Sequence, residues 1–446
     1  MRKTSLLAAC AFAGAVLVLA PADHGFGLAA AQTRAAPVTA RAPSDATRQL
    51  MLLKEIIDHI RTDYVDKPDD SRLVEAAIAG MLSSLDPHSE YMNQAAFEEV
   101  QAQTHGEFGG VGIRVVIEDG QVRVSAALPG TPAARAGILA EDVITHLDGE
   151  PLQGLSISQV AEKMRGPSNT TVRLSIVRAG RADPLHMEIM RDTIRVPSVY
   201  FHREGDDVGY IRITRFNYQT TEGLRDAIRE LSGRGVRGYL LDLRNNPGGL
   251  IDQAISVASS FLDKGEIVSL RGREAADVEH FDARGGHGDL TRGKRVIVLI
   301  NGGSASSAEI VAGALQDHRR ATILGTRSYG KGSVQTIIPL GHGNGALRLT
   351  SARYFTPSGR SIQAQGIVPD IEVPQAAPAD SASTESYSEA DLRGHLRGDG
   401  EEHTGSQSYV PTDPAEDRAL QKALALLRGA RLDAAAPPAR TPVTAN

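Results

Sequence analysis

The sequence predicts a multidomain protein of α+β and α/β class: a helical N-terminal cap, a small strand-rich module, and a larger α/β domain built on a mostly parallel sheet. Three observations predict it. From residue 208 onward strand patterns alternate with helical ones, and the apolar runs at 238–243 and 295–300 have the character of strands buried on both faces. Between 105 and 192, short strands and two short helices are separated by glycine turns. Before that, apolar residues recur at helical spacing over 48–64 and 71–85.

A chain of 446 residues has room for two or three cores. Its net charge of −6 is mild and its Lys and Arg are dispersed, so no nucleic-acid footprint is present. Aromatic residues make up 4% with no Trp, which argues against stacking platforms for bases or sugars. Arg2 and Lys3, an apolar run over 6–20, and Ala29 and Ala31 make a secretory signal over 1–31, cleaved after Ala31 or retained as an anchor. Cys10 lies inside that signal, so the chain beyond it has no disulfide, thiol nucleophile or Cys-based metal site. No second apolar run is long enough to span a membrane.

In order, 32–47 read as a disordered leader. The cap, 48–104, holds helices near 48–64, 71–85 and 94–104, with LDPHSEYM (85–92) as a turn. In the module 105–192, Gly109-Gly110-Val111-Gly112-Ile113 turns into a strand. Pro129-Gly130-Thr131-Pro132-Ala133 opens a helix that closes at Gly137, a strand follows over 142–147, and the second helix spans 156–164. That order resembles a PDZ domain of the bacterial protease type. Backbone N–H groups of Gly110, Val111, Gly112 and Ile113 could hold a terminal carboxylate while a peptide adds to the strand after them. The α/β domain, 193–375, places strands at 208–213, 238–243, 266–270, 295–300 and 321–324, helices at 221–231 and 250–262, and antiparallel strands at 333–340 and 346–355. The loop 271–294 is polar, and the tail 376–446 reads as mostly disordered with a short amphipathic helix near 416–427.

The chemistry concentrates at 292–340. A strand runs into Asn301-Gly302-Gly303 and then into a helix starting near 304–306, which presents a Ser at the positive end of a helix dipole. Such a Ser needs a base. His318 is three turns along the same helix, ~18 Å away, and His287 and His342 sit in Gly-rich polar loops. Lys331, between Gly330 and Gly332, follows Ser306 by 25 residues in a stretch with no Asp or Glu from 321 to 368. Burial without counter-charge would let its amine accept a proton, with the Gln335 amide orienting it. Glycine turns at Gly248-Gly249 and Gly302-Gly303 flank strands of the same sheet, and a backbone N–H at Gly248 or Gly249, with that of Ser307, could form an oxyanion hole.

SASSAE (304–309), YGKGSVQ (329–335), DLRNNPGG (242–249), LDPHSEYM, YFTPSGRSIQ (354–363) and GIVPD (366–370) resemble, in order, the carboxy-terminal processing proteases. The resemblance runs from about 48 to 375. It implies a Clp/crotonase-like protease core with a Ser–Lys dyad: Ser306 as nucleophile, Lys331 as base, Gln335 in support, and an oxyanion donor at Gly248 or Gly249. Where the family often reads S-A-S-A-S-E, this chain has S-A-S-S-A-E, so the assignment of Ser306 follows its spacing to Lys331. The family's R-G-x-x-G-T implies a regulatory Arg165 that couples PDZ occupancy to the dyad, although Asn169 stands where the motif has Gly. It further implies a periplasmic endopeptidase for proteins with apolar C-termini, homo-oligomeric assembly, a lipoprotein adaptor, and no cofactor. Two rivals are a peptide-binding scaffold, which would be expected to have lost Ser or Lys, and a crotonase-like acyl-CoA enzyme, which the signal and PDZ module disfavour.

Overall fold

The computed structural model describes residues 45–284, 288–376 and 388–430. The signal segment, nearly all of the expected leader and His287 lie outside the described residues. Helix α1 (Asp45–Asp63) starts three residues earlier than periodicity suggested and belongs to a unit of its own, in which Leu50, Met51 and Ile56 are exposed. The second unit begins at Asp70. It opens with α2 (Asp70–Ser83), β1 (Glu90–Met92) and α3 (Gln94–His105). Helix α3 is bounded as its sequence allows: Asn93 Oδ1 accepts the Ala96 N–H at 3.0 Å, and Gly106 closes it at φ 69°.

The module between comprises β2 (Glu107–Gly110), β3 (Ile113–Glu118), β4 (Gln121–Ala127), α4 (Pro132–Arg135), β5 (Val143–Leu147), β6 (Glu150–Pro151), α5 (Ile157–Met164), β7 (Thr171–Val177), β8 (Leu185–Met190) and β9 (Asp192–Arg195). Its antiparallel sheet runs β3-β4-β5-β7-β8, which leaves β3 at an edge, while β2 pairs with β9. Val160 and Met164 of α5 pack with Val122, Val124, Ile144, Leu174 and Ile176 in a core of its own.

The large domain contains β10 (Val199–Glu204), β11 (Val208–Ile213), α6 (Thr220–Gly233), β12 (Gly238–Asp242), α7 (Ile251–Ser259), β13 (Glu266–Arg271), β14 (Val278–Asp282), β15 (Arg295–Ile300), α8 (Ser307–Asp317), β16 (Thr322–Gly325), β17 (Ser333–Pro339), β18 (Ala346–Phe355), β19 (Ile371–Glu372) and α9 (Arg418–Leu427). Its main sheet is ordered β10-β11-β12-β15-β16-β19 and is parallel from β11 on. A second, antiparallel sheet runs β1-β18-β13-β14, with β17 paired to β18. Among the described residues no helix is long and apolar enough to cross a membrane.

Alternation along the parallel strands explains their unbroken apolar character. Leu241, Val298 and Ile323 face α6, α7 and α8, whereas Leu240, Ile297 and Leu324 face α9. Two expectations are corrected here. Within the tail expected to be mostly disordered, 388–430 are folded: Ala419, Leu420, Ala423 and Leu424 of α9 cover the second face of the sheet, and 388–408 run over the core's loops. The polar loop 271–294 contains β14, an edge strand whose largely exposed side chains gave no alternating pattern.

Candidate active site

Strand β15 delivers the chain into Asn301-Gly302-Gly303, and three serines follow in different settings. Ser304 is fully buried; its Oγ donates to the Leu243 carbonyl (2.8 Å) and accepts the Asn301 N–H (2.9 Å), which staples the turn. Ser307 Oγ donates to the Gly249 carbonyl at 2.9 Å. Ser306 is the N-cap of α8, half-buried, with φ 55° and ψ −117°. That conformation is costly for a residue with a Cβ, of order 1–3 kcal/mol, and persists only where the surroundings hold it.

Glu309 does much of the holding. It is fully buried, and its carboxylate accepts the Ser306 N–H (2.8 Å), the Lys331 N–H (2.9 Å), the Gly330 N–H (2.7 Å) and the Ser328 hydroxyl (2.6 Å). Burial pushes its carboxyl up to about 7, against the downward pull of those four donors. One side chain thus joins the turn of Ser306 to the loop of Lys331.

Lys331 precedes β17 in that loop, half-buried. Among the described residues its amine has no hydrogen-bond or ion-pair partner. Burial lowers its proton affinity; Glu389, Glu309 and Asp86 act in the opposite sense, and Arg348 adds to the lowering. Beneath the loop, the buried Tyr354 hydroxyl donates to the Lys331 carbonyl, and Tyr354 and Ser306 line the same cleft.

Ser306, Ser307, Lys331, Gln335, Gly248 and Gly249 all line one cleft of about 440 Å³, whose walls include Leu250, Ile251, Ile310, Val334 and Ile337. Gln335 does not meet the amine as anticipated. Its Nε2 donates to Ser333 Oγ (2.9 Å) and to Thr350 Oγ1 (3.3 Å), because β17 and β18 pair Gln335 with Thr350. The two glycines differ. The Gly248 N–H donates to Asn246 Oδ1 (2.8 Å), whereas among the described residues the Gly249 and Ser307 N–H groups meet no protein acceptor. Gly248, at φ 96°, approaches so closely that a Cβ there would lie 2.7 Å from Ser306 Cβ and 3.0 Å from Ser307 N.

In the peptide-binding turn, Val111 and Gly112 connect β2 to β3 and keep their carbonyls occupied by Ala133 N (2.9 Å) and Leu128 N (2.9 Å). Their N–H groups meet no acceptor among the described residues, and Gly110 and Ile113 flank them in β2 and β3. Arg165 lies beside β2, which leads into that turn: the N–H of the next residue, Gly166, donates to the Gly109 carbonyl (3.1 Å). The Arg165 guanidinium donates to Glu99 of α3 at 3.1 Å and lies 5.3 Å above the Phe108 ring. The same helix lends Val100, Gln103 and Thr104 to the cleft.

Sequence reasoning passed over Glu309, Tyr354 and Glu389. The first two stood inside quoted motifs, and a carboxylate three residues after a presumed helix cap was the available signal for Glu309. Glu389 stood in the tail, where composition offered none.

Sequence profiles match peptidase family S41 over 207–373, a PDZ domain over 123–178, and the N-terminal domain of the activating protease CtpB over 12–96. A carboxy-terminal-processing protease of Bartonella bacilliformis is 50% identical over 408 residues, covering 90% of this chain and 93% of the relative. The carboxy-terminal processing protease CtpA of Bacillus subtilis is 35% identical over 328 residues, 72% of this chain and 68% of its own. The solved photosystem II D1 C-terminal processing protease is 30% identical, with a TM-score of 0.43 over 74% of this chain and 94% of its own. A Ser and a Lys sharing one cleft and a PDZ module therefore occur in a chain that belongs to the carboxy-terminal processing proteases, the serine-type peptidases of family S41.

Proposed function

We propose that this protease is a periplasmic endopeptidase that receives protein C-termini on its PDZ domain and cleaves near them with Ser306 and Lys331. The observation that carries the reading is an amine with no ion-pair partner among the described residues, its proton affinity lowered by burial, in the same cleft as a serine on a strained helix cap.

Neutral Lys331 takes the Ser306 proton as Oγ attacks the scissile carbonyl. The tetrahedral oxyanion is received by backbone N–H groups, for which Gly249 and Ser307 are available and Gly248 is engaged by Asn246. The Lys331 ammonium then protonates the leaving amine; neutral again, Lys331 takes a proton from the water that attacks the acyl-enzyme and returns it to the departing Ser306 Oγ as the acid is released. Gln335 joins this sequence after a side-chain rotation that frees its amide from Ser333 and Thr350. The apolar walls of the cleft suit small and aliphatic substrate side chains. On the PDZ domain, the free N–H groups of Val111 and Gly112 suit a terminal carboxylate, and the β3 edge suits strand addition.

The test is digestion of a peptide with an apolar C-terminus beside its C-terminally amidated twin. Wild type cleaves the free acid faster; Ser306→Ala and Lys331→Ala each lose at least ~10³-fold in kcat. Wild-type turnover by Lys331→Ala would overturn the dyad, and equal rates on the two peptides would overturn the role of the PDZ domain. Export is tested separately by fractionating cells that express the full chain.

A further inference from the structure

Residues 388–408 lie beyond the stretch matched by the peptidase profile and hold a single turn of 3-10 helix, Glu389–Asp391. They are nevertheless bonded to both loops of the site. The Glu389 N–H donates to the Tyr329 carbonyl (3.0 Å), two residues before Lys331. Gln363 Oε1 accepts the Gly332 N–H (3.0 Å), while its Nε2 donates to Glu389 Oε1 (2.9 Å) and to the Leu396 carbonyl (2.8 Å). On the other loop, the Gly302 N–H donates to the Gln407 carbonyl (2.8 Å) and Asn301 Nδ2 to that of Ser408 (2.8 Å). Glu389 is fully buried, and His88 Nε2 lies 2.9 and 2.8 Å from its two carboxylate oxygens. His88 in turn is fixed by its neighbour Asp86, which accepts the His88 N–H (2.8 Å) and the Thr350 hydroxyl (3.1 Å).

We propose that Glu389 is a positioning residue of the proteolytic centre: through Tyr329 and Gln363 it seats the loop that carries Lys331, and with His88 it fixes a carboxylate beside that loop. The inference deepens the reading of Lys331 as the base and rests on it. The charged groups acting on Lys331 are Glu389, Glu309 and Asp86 on one side and Arg348 on the other, and Glu389 is the strongest of the acids. Glu389 itself acts on Lys331, Tyr329, Tyr354 and His395 and is paired with His88. Its charge therefore keeps the amine from losing proton affinity further under burial and Arg348. A neutral isostere keeps the seat and removes the charge; truncation removes the charge and the side-chain bonds to Gln363 and His88, leaving the backbone bond to Tyr329.

Full-length Glu389→Gln, Glu389→Ala and Lys331→Ala are compared with wild type on a fluorogenic peptide with an apolar C-terminus, with kcat followed against pH. Amide hydrogen exchange is followed across 326–335. In Glu389→Gln the acid limb of kcat moves measurably to lower pH. In Glu389→Ala, kcat falls roughly tenfold or more, with a smaller change in KM, and the Gly330 to Gly332 amides exchange faster. A Glu389→Gln profile that superimposes on wild type overturns the proposal, even if Glu389→Ala fails to fold. Should Lys331→Ala turn over like wild type, the base assignment itself has failed; unchanged exchange in Glu389→Ala then overturns the seating role independently.

Discussion

Lys331 is a residue whose chemistry and stability pull in opposite directions. Its folded proton affinity lies below that of the unfolded chain, so between the folded value and 10.5 the unfolded state binds the extra proton. This residue's contribution to stability consequently rises with pH through that window and is unfavourable below it. Lys331→Met removes the buried amine and should melt at or above the wild-type temperature at pH 7, while peptide hydrolysis disappears. The gain should shrink as pH is raised toward 10.5. A melting temperature well below wild type across the range would mean that the amine is a structural partner and not a strained functional group.

At the scale of elements, Glu309 joins the first turn of α8 to the loop before β17. Glu309→Gln turns an amide N–H toward at least one of four donors, which leaves a buried donor unpaired at a cost of about 1–3 kcal/mol. The variant should melt several degrees lower and lose roughly 10²-fold in kcat, because the loops of Ser306 and Lys331, the proposed dyad, both shift. The pH dependence has a definite sign. The carboxyl is raised from 4.5 to about 7, so its contribution to stability is full below 4.5 and lost as pH climbs through about 7. Melting curves of Glu309→Gln should lack that slope. Elements such as β12 and β15 were legible because a strand buried on both faces is apolar throughout; glycine turns and motif spacing singled out Ser306 and Lys331, which share one cleft. Edge strand β14 was not, since solvent covers most of its side chains. Segment 388–408 was illegible for another reason: polar groups such as Arg327, which donates to the Thr404 and Gly405 carbonyls, order it, and composition does not register who will meet whom. Gln335 was found in the right cleft but facing the wrong way, since strand pairing with Thr350 is a tertiary fact.

Across the whole molecule, α3 touches both the PDZ domain and the cleft. Glu99 on it meets Arg165, and Val100, Gln103 and Thr104 on it line the cleft. The Arg165–Glu99 pair is exposed and should contribute under ~1 kcal/mol to global stability. Its role should instead be seen in coupling. Arg165→Ala and Glu99→Ala should each reduce the preference for a free over an amidated C-terminus, and the double variant should be no worse than either single one. Strictly additive losses would show that the two residues act apart. The late position of the segment holding Tyr329 and Asn301 also bears on when this protease can begin to work. A ribosome making the chain produces Ser306 and Lys331 well before Glu389 and Gln407, so a partly synthesised chain carries the proposed nucleophile and base without the residues bonded to their loops. On that proposal proteolysis waits until synthesis has nearly run its course, and nascent chains stalled before residue 388 should be inert toward a peptide that the finished protein cleaves.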